Sequence, residues 1–165
     1  MREFDQNGLD IASFQAELFE ESLSRSATSS PIFLRRFFLS RWASSMDRIP
    51  VPIQSFDLNE AFASIEEQFG KSEYGKLKYD PDALYWLGYI TRYIAYTREI
   101  SSKLLYRLFD VKRIYSLYEA YHTQSEERCI AHLLSLFGYD EKVFDVNERI
   151  KGILRKQYQN LFLGN

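Results

Sequence analysis

The stretch DPDALYWLGYITRYIAYTRE, residues 80–99, decides the fold because it predicts a helix with almost no conventional polar face. Asp80 can accept hydrogen bonds from the free N–H groups of the first turn, and Pro81 suits the first helical position, where no amide hydrogen is needed. Tyrosines then recur at spacings of four, four and three residues, which places them on one face. These tyrosines are Tyr85, Tyr89, Tyr93 and Tyr96.

The opposite side of the same helix is aliphatic, with Leu87, Ile90 and Ile94, and Gly88 leaves a notch that a neighbouring backbone could approach. A helix that is apolar nearly all round is normally buried in a bundle. Tyrosine, however, carries a polar hydroxyl group and is favoured at wet interfaces. The pattern leaves two interpretations open: a central core helix, or a core helix that also presents tyrosines to a partner.

Length, composition and charge favour one globular domain. The chain has 165 residues, 45% of them hydrophobic and 16% aromatic, which argues against disorder for most of its length. Its net charge of −2 combines an acidic segment, residues 1–30, with a basic segment, residues 31–48. This balance argues against a uniformly basic nucleic-acid binder, although local basic patches are still compatible with it.

Cysteine content and hydropathy bear on the compartment. Cys129 is the only cysteine, so no intramolecular disulfide can form and secretion gains no support. The acidic N-terminus lacks the apolar core of a signal peptide, and no apolar run is long enough to span a membrane. We expect a cytoplasmic protein without a membrane-embedded part.

Helical periodicity continues along the rest of the chain, and the capping residues agree with it. Only residues 49–53, which contain two prolines, read as an extended crossing segment. The predicted helix starts are Asp10, Ser30-Pro31 (running to about Trp42), Asp57 with Glu60 (ended by Gly70), Ser101 or Ser102 (to Phe109), Asp110 (to about His122), Thr123 with Glu126 (ended by Gly138), and Asp145 with Glu148. We therefore predict an all-α fold, a single compact bundle of about seven or eight helices around helix 81–99. Whether residues 1–30 are docked or mobile stays open.

Residues capable of chemistry give little support for an enzyme. Cys129 and His132 lie three apart beside an apolar row, and two ligands are too few for a structural zinc site. His122 falls at a helix junction, where a structural role is sufficient. The sequence contains neither of the two glycine-rich phosphate-binding motifs. We expect no catalytic residue, no metal and no cofactor.

A cluster of arginines and aromatic residues is the first candidate binding region. Arg35, Arg36 and Arg41 interleave with Phe33, Phe37, Phe38 and Trp42. Such arginines can cover their own core, bind an acidic protein surface or stack in a nucleic-acid complex. The segment is too apolar to be mainly a DNA-binding face, so a structural or protein-binding role is favoured.

Residues 102–122 are a second candidate, because two short predicted helices have helix-turn-helix proportions. The second helix would offer Lys112 and Arg113 near its N-terminus, where recognition residues lie. Apolar residues claim much of that helix, however, and the turn between the helices lacks glycine. DNA binding is therefore the alternative rather than the preferred function.

Several stretches resemble a group of small bacterial helical proteins associated with toxin–antitoxin-type gene pairs. The similar stretches are IFLRRFF (32–38), SIEEQFGKS (64–72), YWLGY (85–89), RY (92–93), EISSK (99–103) and YHT (121–123). The resemblance implies an accessory or antitoxin-like protein that binds a toxin enzyme encoded beside it. It supplies no catalytic residues.

The prediction from sequence is therefore a non-enzymatic protein-interaction module, the antitoxin-like neutralising partner of a bacterial toxin. Tyrosine and arginine are enriched in interface hot spots. The candidate partner-binding residues are Arg35, Arg36, Arg41, Tyr85, Tyr89, Arg92 and Tyr93. The alternatives are a DNA-binding regulator that uses residues 102–122 and, less favoured, an enzyme near His122 and Arg92.

Overall fold

The computed structural model describes residues 1–48 and 56–139, and these residues confirm the all-α prediction. They form nine helices and no strand. The helices are α1 (Gln6–Arg25), α2 (Ser30–Phe38), α3 (Arg41–Met46), α4 (Leu58–Phe69), α5 (Pro81–Thr97), α6 (Ser102–Leu108), α7 (Val111–Ser116), α8 (Tyr118–Tyr121) and α9 (Glu126–Leu136). The extended segment predicted at 49–53 and the helix predicted from Asp145 lie outside the described residues.

The chain divides into two compact units, residues 1–126 and 127–165. That these units form one domain stays a prediction. Within the second unit, α9 buries Cys129, Ile130, Leu133 and Leu134 along one face. Gly138 follows that helix with a φ of +73°, a left-handed conformation that suits glycine.

The centre of the first unit is the contact between α1 and α5, and Gly88 explains why these helices lie so close. A Cβ atom at position 88 would meet the carbonyl oxygen of Gln15 at 2.7 Å and the Cα atom of Ala16 at 2.8 Å. The predicted close-packing notch at Gly88 is therefore confirmed. Because Ile11 and Leu18 are fully buried, α1 is a docked core helix, which answers the question that the sequence left open for residues 1–30.

A buried polar cluster joins α1, α3, α5 and α6 beside this contact. The guanidinium group of Arg92 donates to Oε1 of Gln15 (2.8 Å), to Oδ1 of Asp47 (2.9 Å) and to Oγ of Ser102 (2.8 Å). Asp47 also accepts from the backbone N–H of Ser102 at 2.8 Å. Burial lowers the pKa of Arg92 from its ordinary value, and the Asp47 carboxylate opposes that shift. The cluster thus supplies hydrogen-bond acceptors to an arginine that is only 2% exposed.

Helix α2 packs against α1 through phenylalanine side chains. Phe19 of α1 meets Phe33, Phe37 and Phe38 edge to face, with ring centroids 6.2, 4.9 and 5.7 Å apart. Edge-to-face contacts of this kind add to the stabilisation from burial alone. The outer side of α2, which carries Arg35, is thereby turned toward solvent.

Helix caps explain most boundaries, both predicted and unpredicted. As predicted, Asp57 and Asp80 cap α4 and α5, each side chain accepting from a backbone N–H three residues on. The second predicted helix, 30–42, is in fact two helices. Ser40 separates them because its hydroxyl group donates to the carbonyl of Phe37 at 2.7 Å while its hydroxyl oxygen accepts from the N–H of Ala43 at 3.0 Å.

Three other predicted boundaries are wrong. Helix α1 begins at Gln6 rather than near Asp10, because Asp5 accepts from the N–H of Gly8 at 2.9 Å. Helix α9 begins at Glu126 rather than at Thr123. The helix predicted from Asp110 to His122 is interrupted at Leu117, whose N–H bonds to the carbonyl of Ile114.

Candidate functional site

Arg92 was predicted to contact a partner, and the structure corrects this. Its side chain lies inside the first unit and is held by the three hydrogen bonds to Gln15, Asp47 and Ser102. The residue is 2% exposed, so no partner can reach it without disrupting the fold. Its role is structural: it donates hydrogen bonds to buried polar side chains of the helical unit and fixes their orientation.

The tyrosine face of α5 is largely covered by the chain itself. Phe4 stacks on the ring of Tyr93 at 3.9 Å and meets Tyr89 and Tyr96 edge to face. The hydroxyl group of Tyr96 donates to Oδ1 of Asp5 at 2.6 Å. Phe4 and Asp5 therefore cover the predicted tyrosine surface except at Tyr85. The 3.6-residue pattern of α5 gave no means of predicting this cover.

Two tyrosines of that face differ in their surroundings. Tyr85 is 38% exposed and stays accessible to a partner. Tyr89 is half-buried, and its pKa is raised well above the ordinary value, first by burial and then by its contact with the Glu126 carboxylate. Of the tyrosines that we predicted to bind a partner, Tyr85 is thus the most accessible, while Tyr89 and Tyr93 contribute mainly to packing.

The predicted arginines of α2 and α3 lie at the surface and have different surroundings. Arg35 is exposed. Arg36 is half-buried and donates to the carbonyl oxygen of Gly70 at 2.8 Å. It thereby provides a hydrogen-bond donor for a carbonyl group at the C-terminal end of α4. Arg41 pairs with Glu67 at 3.2 Å while both side chains stay mostly exposed, and such pairs contribute little to stability. Arg35 is the arginine best placed to meet a partner.

The 71–79 loop, which follows α4, is fastened to the turn between α1 and α2. The N–H of Ser29 donates to the carbonyl of Tyr74 at 3.0 Å, and the N–H of Ser30 donates to the carbonyl of Leu77 at 2.8 Å. The ammonium group of Lys78 donates to the carbonyls of Ser26 and Thr28 at 2.7 and 2.8 Å. These bonds fix an irregular loop that has no helical hydrogen bonds of its own.

Gly75 allows this loop to approach the turn so closely. Its φ of +81° is left-handed, and a Cβ atom at this position would lie 2.6 Å from Oγ of Ser29. A side chain at position 75 would therefore be strained by the backbone and would also collide with the turn. The loop conformation depends on this glycine.

The fastened loop nevertheless holds two large apolar side chains in solvent. Tyr74 is 73% exposed and Leu77 is 56% exposed, more than any other large hydrophobic residue of the described chain except Met1. Tyr74 and Leu77 were not among the partner-binding residues predicted from the sequence. The missed signal was the presence of Tyr74 and Leu77 among polar loop residues, where turn chemistry requires neither.

An open groove lies on each side of the loop. The first has a volume of about 470 Å³ and is mostly apolar. Its lining includes Ile32, Arg35, Leu39, Phe69 and Tyr74. The second, of about 560 Å³, is formed with α7, and its lining includes Leu77, Lys78, Lys112, Arg113 and Tyr115. We call these two grooves, together with the 71–79 loop, the α2–loop surface.

A pair of stacked tyrosines supports the second groove. The rings of Tyr79 and Tyr115 lie 3.7 Å apart and nearly parallel, at 7°. The N–H of Asp80 donates to the hydroxyl oxygen of Tyr115 at 3.2 Å, which ties α7 to the start of α5. The wall of the second groove beside Leu77 therefore contains two stacked aromatic rings that are held in place.

The residues considered for chemistry have structural surroundings. Burial raises the pKa of the Cys129 thiol to about 11, so the thiol is protonated at neutral pH and a poor nucleophile. Nδ1 of His122 lies 2.9 Å from the carbonyl oxygen of Tyr118, and the two rings stack. Within residues 1–48 and 56–139, no three His, Cys, Asp or Glu side chains are grouped closely enough to hold a metal ion.

The candidate DNA-binding region contains three short helices, α6, α7 and α8, of seven, six and four residues. Lys112 and Arg113 are exposed at the start of α7, as expected. The Asp110 carboxylate accepts from the N–H groups of both residues at 3.1 and 3.2 Å, which places a negative charge at the same helix end.

Comparison of this chain with protein-family models, with curated proteins and with solved structures gives no match. Among the described residues, the helices are too short or too polar for any of them to cross a membrane. We therefore infer the function from the surface features of the chain itself.

Proposed function

We propose that this chain is a non-enzymatic protein-interaction module of the cytoplasm, which binds a partner protein through the α2–loop surface. The observation that carries the proposal is the 71–79 loop, which is tightly fastened yet exposes Tyr74 and Leu77. An exposed aromatic side chain beside an apolar groove is characteristic of interaction sites.

Preorganisation strengthens this proposal. A loop that is already ordered loses little conformational entropy on binding, so more of the contact energy is available for affinity. The hydrogen bonds of Ser29, Ser30 and Lys78 supply that order before any partner arrives. Because Gly75 permits this arrangement at an otherwise strained position, the loop geometry is specified by the sequence.

Within this class, we propose an antitoxin-like role: binding and neutralising a toxin enzyme encoded nearby. The resemblance of residues 32–38 and 64–72 to proteins of toxin–antitoxin-type gene pairs supports this role. The structure places both stretches next to the first groove, since Ile32, Arg35 and Phe69 line it. Neutralisation would follow if the bound chain covered the active site of the toxin.

The experiment that tests this proposal is co-expression with the products of the adjacent genes, followed by size-exclusion chromatography and a growth assay. We expect a stoichiometric complex with one neighbour and relief of that neighbour's toxicity. The variant Tyr74→Ser with Leu77→Ser should lose both. The matched control is Leu9→Ser, which removes a side chain 39% exposed on α1 and should leave both unchanged.

The proposal fails if no neighbouring product co-purifies, or if the complex forms equally well with the Tyr74→Ser, Leu77→Ser variant. Because both substitutions replace exposed side chains, the variant is expected to fold. Its circular dichroism spectrum and melting temperature are measured first, so that loss of binding is not confused with unfolding.

Duplex DNA binding by residues 102–122 is the second candidate function. The observation in its favour is that Lys103, Arg107, Lys112 and Arg113 are all exposed on α6 and α7. Against it, α7 has six residues, about half the length of an average helix. Salt-sensitive duplex binding that is abolished by Lys112→Ala with Arg113→Ala would support this function in place of protein binding.

A further inference from the structure

The α2–loop surface is basic, although the chain as a whole is acidic. A third, smaller cavity of about 220 Å³ adjoins the second groove, since Tyr79, Asp110 and Lys112 line both. On α2, Leu34 borders the third cavity while its neighbour Arg35 borders the first groove. Helix α2 therefore contributes lining residues to both the first groove and the third cavity.

The residues lining these cavities include one acid, Asp110. They also include five bases, which are Arg35, Arg36, Lys78, Lys112 and Arg113. The net charge of the whole chain is −2. A concentration of positive charge on an acidic chain creates a local field that selects an oppositely charged partner.

Internal hydrogen bonds show which of these charges are available. Arg36 donates to the carbonyl of Gly70, and Lys78 donates to the carbonyls of Ser26 and Thr28. These two cations are already used to hold the surface together. By contrast, the side chains of Arg35 and Lys112 form no ion pair or hydrogen bond with the rest of the described chain.

Among the described residues, Asp110 forms no ion pair with Arg35 or Lys112. Its Oδ1 atom accepts from the backbone N–H groups of Lys112 and Arg113, so it is committed to capping α7. Arg35 lies on the first groove and Lys112 on the second. Within the part of the chain that the structure describes, Arg35 at the first groove and Lys112 at the second are thus cations without an ion-pair partner.

We propose that the occupant of this surface is an acidic segment of the partner protein that carries apolar side chains. The apolar side chains would fill the grooves beside Tyr74 and Leu77, and carboxylates would pair with Arg35 and Lys112. This inference rests on the proposed function and adds to it the chemical class of the partner.

Apolar lining favours such a segment over nucleic acid. The first groove is lined by Ile32, Leu39 and Phe69, whose contacts a phosphate backbone cannot use. Nucleic-acid surfaces generally contact many phosphates with free lysines and arginines. Here Arg36 and Lys78 are already committed to backbone carbonyls.

The test uses fluorescein-labelled synthetic peptides and fluorescence anisotropy with the whole chain. One peptide is rich in glutamate with interspersed leucines; in the second, serine replaces each leucine; in the third, lysine replaces each glutamate. A labelled DNA duplex is the fourth probe. We expect the first peptide to bind at least about tenfold more tightly than the other three probes, and less tightly as salt rises.

Two double variants distinguish the effect of charge at positions 35 and 112 from the effect of side-chain shape. Arg35→Glu with Lys112→Glu should weaken binding of the first peptide by about tenfold or more, whereas Arg35→Lys with Lys112→Arg, which keeps both charges, should change it by about twofold or less. The inference is overturned if the first peptide does not bind, if the lysine peptide binds as tightly, or if the duplex binds more tightly.

These outcomes can be told apart from failure of the proposed function. If leucine peptides of either charge bind and Tyr74→Ser with Leu77→Ser abolishes both interactions, the surface is still a protein-binding site. Only the acidic character of the partner would then be wrong. If the neighbouring gene product fails to co-purify, the proposed function fails whatever the peptides do.

Discussion

Arg92 and Arg35 belong to two regions that are built in opposite ways. Arg92 lies in the α1–α5 region, where burial is nearly complete and every polar group of the cluster is paired inside the unit. Arg35 lies on the α2–loop surface, where hydrogen bonds fix the backbone but leave large apolar side chains in solvent. The first region has the properties of a folding core, and the second has those of a binding site.

The comparison shows that residue type alone does not distinguish a core arginine from a binding arginine, whereas its register on the helix does. Gly88, Arg92 and Tyr96 follow at spacings of four, so they share one stripe of α5. Gly88 lies against Gln15 and Ala16, and Tyr96 lies against Gly8. Arg92, between them, must therefore also face α1.

The largest expected effect is that of Arg92→Ala. Removing the guanidinium group leaves Asp47 and Gln15 without their partner in a buried site, which costs roughly 3–5 kcal/mol of unfolding free energy. Urea denaturation followed by circular dichroism measures this loss. Arg35→Ala, the matched variant at the surface, should change the unfolding free energy by about 0.5 kcal/mol or less. Equal losses for the two variants would contradict the division between the regions.

Gly88→Leu should also destabilise the α1–α5 region. The new side chain would collide with the backbone of Gln15 and Ala16, which cannot move aside as a flexible side chain can. Overpacking of this kind typically costs about 1–3 kcal/mol. Thermal unfolding measures the change, with Ala63→Leu at an exposed position of α4 as the control. A melting temperature raised by Gly88→Leu would show that α1 does not pack at this notch.

A smaller effect is expected from the contact that closes the tyrosine face. The hydrogen bond from Tyr96 and then that from the N–H of Gly8 lower the pKa of Asp5 below 3.8. The ionised form therefore stabilises the fold at pH values above 3.8, and this contribution is lost as pH falls through the lowered pKa. Asp5→Asn keeps a capping oxygen for Gly8 but removes the charge.

The melting temperature of Asp5→Asn should therefore lie below that of the wild type by a constant amount above about pH 5. The difference should shrink as pH falls below 3.8 and vanish once Asp5 is protonated in the folded state. Melting curves across this pH range test the prediction. A difference that grew toward low pH would mean that Asp5 is stabilised in its protonated form.

Local chemistry made part of the fold predictable. Asp57, Asp80, Ser101 and Asp110 cap helices at the predicted positions, because a cap depends only on the side chain and the next few backbone amides. Gly88 was predictable for a similar reason, since a glycine inside a helix requires compensation from close packing.

Long-range contacts made the remainder unpredictable. Phe4 covers Tyr93 across almost ninety residues of sequence, and Ser29 fixes the carbonyl of Tyr74 from a distant turn. Neither contact leaves a periodic signal in the sequence. On the candidate surface, the sequence pointed to Arg35 and Arg36 for a partner protein and to Lys112 and Arg113 for DNA. It did not point to Tyr74, because the exposure of that side chain depends on how the loop is fastened.

The central claim is that the 71–79 loop is held in one conformation while Tyr74 and Leu77 stay exposed. Amide hydrogen exchange measured by nuclear magnetic resonance tests it most directly, because the N–H groups of Ser29 and Ser30 donate to the carbonyls of these two residues. We predict that both amides exchange at least about a hundredfold more slowly than unstructured amides of the same sequence. Exchange of both amides at the unstructured rate would show that the loop is open, and would contradict the claim that it presents a preformed binding surface.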